Sequence, residues 1–254
     1  MKLAPRCLTL ALLALLGALP AAARVPSVAA GEPTAAMVAW AERLVPDDQP
    51  PAVRLRHLLD ALIARGMREI EGPTETAAVA FERRRANCVA LAHLMAGLGR
   101  RLGLPVFFVL LEGPPVSDER GDLRILSGHL AAATEVADGI LVLDFAGATP
   151  LPAERLRRIP ERRAAAIYHS NLGAEAMVDG AGSEAVVHLG AAIALDPDFE
   201  QAWLNLGVAL RRVGNLPAAE GAYRRVLELD PDSQAAKRNL EVVRRLRAYE
   251  EIIP

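Results

Sequence analysis

Three short segments of this chain contain residues that together fit nucleophilic catalysis. They are Asn87-Cys88-Val89-Ala90, Ser127-Gly128-His129 and Leu143-Asp144-Phe145. A nucleophilic cysteine needs a base within reach, and the base needs a third group that holds its orientation. Cys88, His129 and Asp144 fit these three roles in that order. The set predicts that Cys88 attacks a carbonyl carbon, while His129 takes and returns the proton and Asp144 orients the imidazole.

The position of Cys88 at the start of a helix favours its reactive form. Asn87 precedes a strongly helical stretch, Val89 to Leu102, which Gly103 ends as a C-cap. Free amides and the helix dipole stabilise an anion at such an end, and a thiolate there has a lowered pKa. We expect the Cys88 backbone amide to serve as one oxyanion donor. Asn87 is a weaker candidate for a second donor, on adjacency alone.

The N-terminus has the three parts of a secretory signal over residues 1–23. Lys2 and Arg6 precede an apolar run, and Ala21-Ala22-Ala23 form a small-residue cleavage pattern. The run is short for a membrane span, which needs about 20 residues. We therefore expect a periplasmic or secreted protein cut after Ala23, with membrane attachment only if the signal stays uncleaved.

Cleavage would change both the charge and the thiol content of the chain. The net charge of −2 becomes −4 because Lys2 and Arg6 are lost, which argues against nucleic-acid binding. Of the two cysteines, Cys88 alone remains, so no intramolecular disulfide can form. A lone cysteine in an oxidising compartment is either buried and inert or kept for reactivity. Cys88, His129 and Asp144 thus also fit a structural interpretation as core and strand-end residues.

The order of elements predicts an α+β domain over residues 34–150, with helices first and a small antiparallel sheet afterwards. Thr74 is the expected cap of the third helix. Asp138-Gly139 is a strong hairpin signal between two strands. With these as turn residues, Asp144 lies opposite Ala133, too far from His129. With the turn one residue earlier, Asp144 lies opposite Ala131, and a hydrogen bond to His129 is feasible. The sequence leaves both registers open.

Residues 161–254 have a period of 34 residues, which closely matches the tetratricopeptide repeat. We predict units over about 166–199 and 200–233, followed by a capping helix. His169 occupies the position where the repeat prefers tryptophan. The module predicts a protein or peptide partner in a groove. The expected groove positions are Ser170, Asn171, Ala174, Leu204, Asn205 and Val208.

The first domain resembles the transglutaminase-like superfamily, relatives of the papain-like cysteine proteases. In that family a cysteine opens a helix, the helix leads into a Gly-Leu/Ile-Pro step, and histidine and aspartate follow on strands. The matching residues are Cys88, Leu102-Gly103-Leu104-Pro105, His129 and Asp144, within roughly residues 75–150. The chain departs from the pattern with Leu130-Ala131 after the histidine and Phe145 after the aspartate.

The resemblance implies an exported cysteine hydrolase or acyltransferase that acts on peptide or amide bonds, with a repeat module for protein binding. The alternative is a non-catalytic periplasmic adaptor or scaffold whose function lies in the repeats. We expect no cofactor. We also expect no metal, because no pair among the other histidines has zinc-site spacing. His93 lies about 140° round the helix from Cys88 and points elsewhere.

Overall fold

The computed structural model describes residues 30–111, 119–120, 123–124, 129–145, 149–151 and 156–250. The predicted signal peptide and the Ser127-Gly128 pair lie outside these residues. Within them, no helix combines the length and the apolar character that crossing a membrane would require.

The chain divides into two compact units. In terms of described residues, the first holds 30–111 and 129–168, and the second holds 119–120, 123–124 and 169–250. The predicted boundary between residues 150 and 161 differs from this division, because residues 156–168 belong with the sheet.

Four helices form most of the first half of the first unit. They are α1 (Ala35–Glu42), α2 (Pro51–Ala64), α3 (Ala77–Arg83) and α4 (Cys88–Arg101). Thr34 caps α1 and Thr76 caps α3, each accepting a hydrogen bond from the backbone amide three residues on. The prediction that Thr74 caps the third helix was wrong. Thr74 is buried and accepts a hydrogen bond from Asn87, so the capping role passes to Thr76.

Helix α4 is the central helix of the first unit, and its residues from Val89 to Gly99 are buried. One close backbone approach sets its position. A Cβ atom at Gly97 would lie 1.8 Å from the carbonyl oxygen of Gly31, so only glycine fits there. Burial on nearly every side fixes the axis of α4, and therefore fixes where its N-terminal residue Cys88 lies.

A five-stranded antiparallel sheet is the other main part of the first unit. Its strands are β3 (Phe107–Leu111), β6 (His129–Val136), β7 (Gly139–Leu143), β8 (Thr149–Leu151) and β9 (Leu156–Ile159). Their order across the sheet is β8-β7-β6-β3-β9. Val109, Ala131, Ala133 and Val142 form a buried cluster on one face. Strand β9 lies between the two predicted domains, and its exposed Arg157 and Arg158 hide any apolar alternation. It pairs with β3 at one edge of the sheet.

Two short strand pairs complete the described β-structure. β1 (Arg68–Glu69) and β2 (Arg85–Ala86) pair in parallel, with Glu69 opposite Ala86. β4 (Glu119–Arg120) and β5 (Leu123–Arg124) pair antiparallel and belong to the second unit.

The second unit is a helical repeat. The helices are α5 (Glu161–Val178), α6 (Gly182–Leu195), α7 (Glu200–Arg212), α8 (Leu216–Leu229) and α9 (Gln234–Glu250). Helix α5 begins in the first unit and enters the second at His169. A Cβ atom at Gly207 would lie 2.4 Å from the Tyr223 ring, and one at Gly173 would lie 2.6 Å from Leu189. Close approach at these two glycines, 34 residues apart, packs each antiparallel helix pair.

The positions predicted to line an open groove are largely buried. Ser170, Ala174, Leu204, Asn205 and Val208 are each at most 5% exposed. The repeat pattern predicts their position on the helices but not what lies beside them. Within the second unit, β5 lies next to α7, which contributes three of these residues.

Candidate active site

Asn87 fixes the start of α4 and therefore the position of Cys88. Its side-chain oxygen accepts a hydrogen bond of 3.0 Å from the Ala90 amide, as an N-cap residue does. Its amide nitrogen donates to the Gly72 carbonyl at 3.2 Å and to the Thr74 hydroxyl at 2.8 Å. The side chain thus ties the first turn of α4 to the loop that precedes α3. These bonds occupy the Asn87 amide, so it does not serve as the second oxyanion donor considered above.

The parallel pair β1–β2 brings a fourth functional group to the cluster. Glu69 lies opposite Ala86, two residues before Cys88. The Ile70 amide donates to the Ala86 carbonyl at 3.0 Å, which continues the pairing up to the helix start. Glu69 therefore lies beside the N-terminus of α4, although 19 residues separate it from Cys88 in the sequence.

The hairpin register places Asp144 near His129. Val136 pairs with Gly139 and Ala132 pairs with Leu143, so the turn residues are Ala137 and Asp138. In this register Asp144 lies opposite Ala131, one of the two arrangements that the sequence left open. His129 is the first residue of β6, and Asp144 directly follows β7. The two side chains are diagonal neighbours on one face of the sheet.

His129 lies at the centre of the cluster. Its Nε2 atom is 3.3 Å from Asp144 Oδ2, and its Nδ1 atom is 3.7 Å from Glu69 Oε1. A carboxylate oxygen of Glu69, the Cys88 sulfur and a ring nitrogen of His129 all lie within 4.8 Å of one another. Because Asp144 occupies Nε2, Nδ1 is the nitrogen left to exchange a proton with the Cys88 thiol. The structure therefore brings Cys88, His129 and Asp144 together, with the Cys88 sulfur and a ring nitrogen of His129 at most 4.8 Å apart.

These neighbours hold a proton on His129. The hydrogen bond to Asp144 and then the hydrogen bond to Cys88 raise the pKa of His129 to about 10, against the opposing effect of burial. The imidazole is therefore a cation at neutral pH. An adjacent imidazolium stabilises a thiolate, so this arrangement suits a cysteine nucleophile.

Glu69 is the member of the cluster that the sequence analysis missed. Burial raises the pKa of its carboxyl group, His129 opposes the rise, and Asp144 adds to it. The Arg-Glu pair at 68–69 has no local pattern that marks a site, because its proximity to Cys88 depends on the β1–β2 pairing.

The other histidine of α4 has a packing role. His93 is buried, its Nε2 lies 3.2 Å from the Ala164 carbonyl oxygen, and its ring packs on Phe108 and Tyr168. It takes no part in the cluster around Cys88, in agreement with its predicted direction on the helix.

The second unit contains a separate histidine pair. His169 and His188 stack with ring centroids 5.6 Å apart, and their Nδ1 atoms are 3.3 Å apart. Burial, and then the neighbouring His188, lower the pKa of His169 to about 4. Burial also lowers the pKa of His188. His169 thus fills the tryptophan position of the repeat as a neutral aromatic ring.

The family comparison agrees with the helical arrangement of the second unit. The tetratricopeptide repeat model matches residues 200–233, the pair α7 and α8. Residues 200–233 form a tetratricopeptide repeat. This confirms the predicted second unit of the repeat, and such repeats generally mediate contacts between proteins. No transglutaminase-like domain is detected by the same comparisons.

Similar proteins match only part of this chain. A protein O-mannosyl-transferase from Mus musculus, TMTC1, is 43% identical over 63 residues, which cover 24% of this chain and 7% of that protein. UPF0162 proteins from two strains of Xylella fastidiosa are 42% identical over 78 residues, or 30% of this chain and 22% of theirs. This chain therefore spans less than a quarter of the length of the curated relatives that it matches.

Proposed function

We propose that the protein is an exported cysteine hydrolase or acyltransferase of transglutaminase-like type, acting on peptide or amide bonds. One observation carries this proposal: His129 Nε2 lies 3.3 Å from Asp144 Oδ2, and a ring nitrogen of His129 lies within 4.8 Å of the Cys88 sulfur. Orientation of a base by a carboxylate, with a thiol on the other side, is the arrangement that activates a cysteine nucleophile.

The proposed reaction proceeds in two steps. The Cys88 thiolate attacks the substrate carbonyl carbon, and the Cys88 backbone amide donates a hydrogen bond to the oxyanion. His129 then transfers its proton to the leaving amine, and an acyl thioester remains on Cys88. Water or an acceptor amine attacks the thioester and gives a proton to His129, which restores the thiolate–imidazolium pair. Asp144 holds the imidazole in place throughout by its contact with Nε2.

The repeat supports a protein-binding role, which we propose serves to recruit a substrate or partner protein. The 7% coverage of the mouse transferase is confined to a small part of that protein, so it gives no support for O-mannosyl transfer by this chain. The alternative function is that of a periplasmic adaptor whose sheet unit is only a scaffold. The repeat match at residues 200–233 fits this alternative as well as it fits the enzyme.

Thiol labelling separates the two functions. A thiol of ordinary pKa is about one per cent ionised at pH 6.5. We expect iodoacetamide to modify Cys88 about tenfold or more faster than free glutathione at about that pH, because the imidazolium holds the thiolate. The product is measured by mass spectrometry of the Cys88 peptide. His129→Ala should lower the rate to that of glutathione, whereas His57→Ala on helix α2 should leave it unchanged. A wild-type rate no faster than that of glutathione would favour the adaptor.

A further inference from the structure

We propose that Glu69, Cys88 and His129 form a binding site for a soft divalent metal ion, Zn²⁺, that blocks the thiol reversibly. The site uses residues of the proposed active site, but metal binding does not require that Cys88 be catalytic. The three residues come from three elements: β1, the N-terminus of α4 and the start of β6. Residues from three separate elements have no fixed spacing in the sequence. The spacing of the histidines therefore predicted no metal.

The distances are close to those that a tetrahedral ion needs. Zn²⁺ binds sulfur at about 2.3 Å and nitrogen or oxygen at about 2.0–2.2 Å, so its ligand atoms lie about 3.3–3.7 Å apart. Glu69 Oε1 and His129 Nδ1 are already 3.7 Å apart, and the three ligand atoms lie within 4.8 Å of one another. Closing the remaining gap takes a shift of about 1 Å. The Glu69 side chain is 37% exposed, so it has room to make that shift.

The groups around the three ligands suit a metal. Asp144 contacts His129 at Nε2 and leaves Nδ1 for the ion. A ligating histidine commonly donates its other ring nitrogen to a carboxylate in this way, which fixes its orientation. Glu69, Asp144 and a Cys88 thiolate also concentrate negative charge around the imidazole. One thiolate, one imidazole and one carboxylate favour zinc over magnesium or calcium, which prefer all-oxygen sites.

Metal binding and thiol reactivity would exclude each other. When Zn²⁺ bonds to Cys88 sulfur and His129 Nδ1, one proton leaves the imidazole for solvent and no electrons are transferred. The sulfur lone pair is then engaged in the metal bond and is unavailable to a carbonyl carbon or to iodoacetamide. Three protein ligands leave a fourth position on the ion for water, so a chelator can reach the ion and remove it.

Calorimetry on the untagged, reduced full chain tests the site with Zn²⁺ alone. We expect a single site in the wild type, its loss in Cys88→Ser, and affinity weaker by about tenfold or more in Glu69→Gln. Glu71→Gln is the matched control, since it removes the same charge at an exposed position two residues away. It should bind as the wild type does. Co²⁺ should give a thiolate charge-transfer band that Cys88→Ser lacks. Equal Zn²⁺ binding by all four proteins would overturn the proposal.

Labelling of Cys88 with and without Zn²⁺ keeps this inference separate from the proposed function. Rapid labelling in a chelator that slows at least about tenfold with Zn²⁺ supports both. Rapid labelling that Zn²⁺ does not slow would overturn the metal site and leave the catalytic proposal standing. Slow labelling in the chelator, together with Zn²⁺ binding that depends on Cys88 and Glu69, would overturn catalysis and support the metal site.

Discussion

At the scale of the residue, Asp144 sets the properties of His129. The hydrogen bond between them is the largest cause of the raised pKa of His129. Without that carboxylate, Cys88 alone would oppose burial, which by itself favours the neutral imidazole. Asp144 thus acts on the reaction through His129, as a positioning residue.

Asp144→Asn should lower the pKa of His129 by about one unit or more, because the amide carries no charge to stabilise the imidazolium. The titration of the His129 ring by NMR measures this change directly. The rate of Cys88 labelling at about pH 6.5 should fall with it. Asp138→Asn is the control, as Asp138 is an exposed turn residue of the same hairpin. A His129 pKa that stays near 10 in Asp144→Asn would contradict the assigned role.

Residue types, their order and the family resemblance predicted that Cys88, His129 and Asp144 form one set. The contact between Asp144 and His129 also required the register with Ala137 and Asp138 in the turn, which the sequence did not determine. Glu69 was not predictable in this way. Its place in the cluster depends on a two-residue parallel pairing, and two residues are too few to show a strand period.

At the scale of the element, the start of α4 depends on one side chain. Asn87 caps the helix and makes two further hydrogen bonds to the loop at Gly72 and Thr74. Thr76 caps α3 through one bond to the Val79 amide. The two helix starts therefore provide a matched comparison of a cap alone with a cap that also ties down a loop.

Asn87→Ala should destabilise the protein by about 2 kcal/mol, and Thr76→Ala by about 1 kcal/mol. The larger loss is expected because the Asn87 change also leaves the Thr74 hydroxyl, a buried group, without that donor. Urea unfolding followed by circular dichroism measures both. Equal losses in the two variants would show that the bonds to the loop contribute nothing beyond the cap.

Strand register was the feature of this scale that the sequence left undecided. Asp138-Gly139 marked the hairpin correctly, but Gly139 is the first residue of β7 and not the second turn residue. When the turn moves one residue earlier, the residue opposite Asp144 changes from Ala133 to Ala131, which brings Asp144 closer to His129. Turn preference alone does not fix that shift. In the observed register Val142 pairs with the buried Ala133, whereas the other register would pair it with the exposed Glu135.

At the scale of the whole molecule, one histidine in each unit links stability to pH, and the two links have opposite directions. His169 has a folded-state pKa of about 4, below its usual 6.5, so its contribution to stability is present above pH 6.5 and is lost as the pH falls towards 4. His129 has a folded-state pKa of about 10, so its contribution is present below pH 6.5 and is lost as the pH rises through 10.

Lowering the pH from 7 to about 4 should therefore destabilise the repeat unit by about 1–2 kcal/mol through His169, since solvent screening reduces the effect at a partly exposed ring. Trp203 is buried in α7 and reports on that unit, once Trp40 of the first unit is replaced in a Trp40→Phe background. Urea midpoints of Trp203 fluorescence measure the loss. His169→Phe in the same background should remove most of it, because phenylalanine has no proton to bind. The same acid sensitivity in both proteins would show that other groups cause it.

The repeat was the most predictable part of the molecule and the boundary before it was the least. A period of 34 residues places Gly173 and Gly207 at equivalent close contacts between helices. A side chain at either position would clash with the facing helix, so glycine is needed there. The segment from residue 151 to 163 has no comparable pattern. Its charged strand β9 is recognisable only once β3 is present to pair with it.

The composition of β9 has a consequence for solubility. A strand at the edge of a sheet offers backbone donors and acceptors to any other extended chain, which makes edges the usual starting points of aggregation. In β9, Arg157 and Arg158 are both exposed, and Arg158 is held by Glu135 at 2.9 Å. Two copies that paired through this edge would bring their arginines within about 5 Å of each other, at a cost in repulsion. The two arginines that hide the strand in the sequence therefore also disfavour pairing of this edge of the sheet with another molecule.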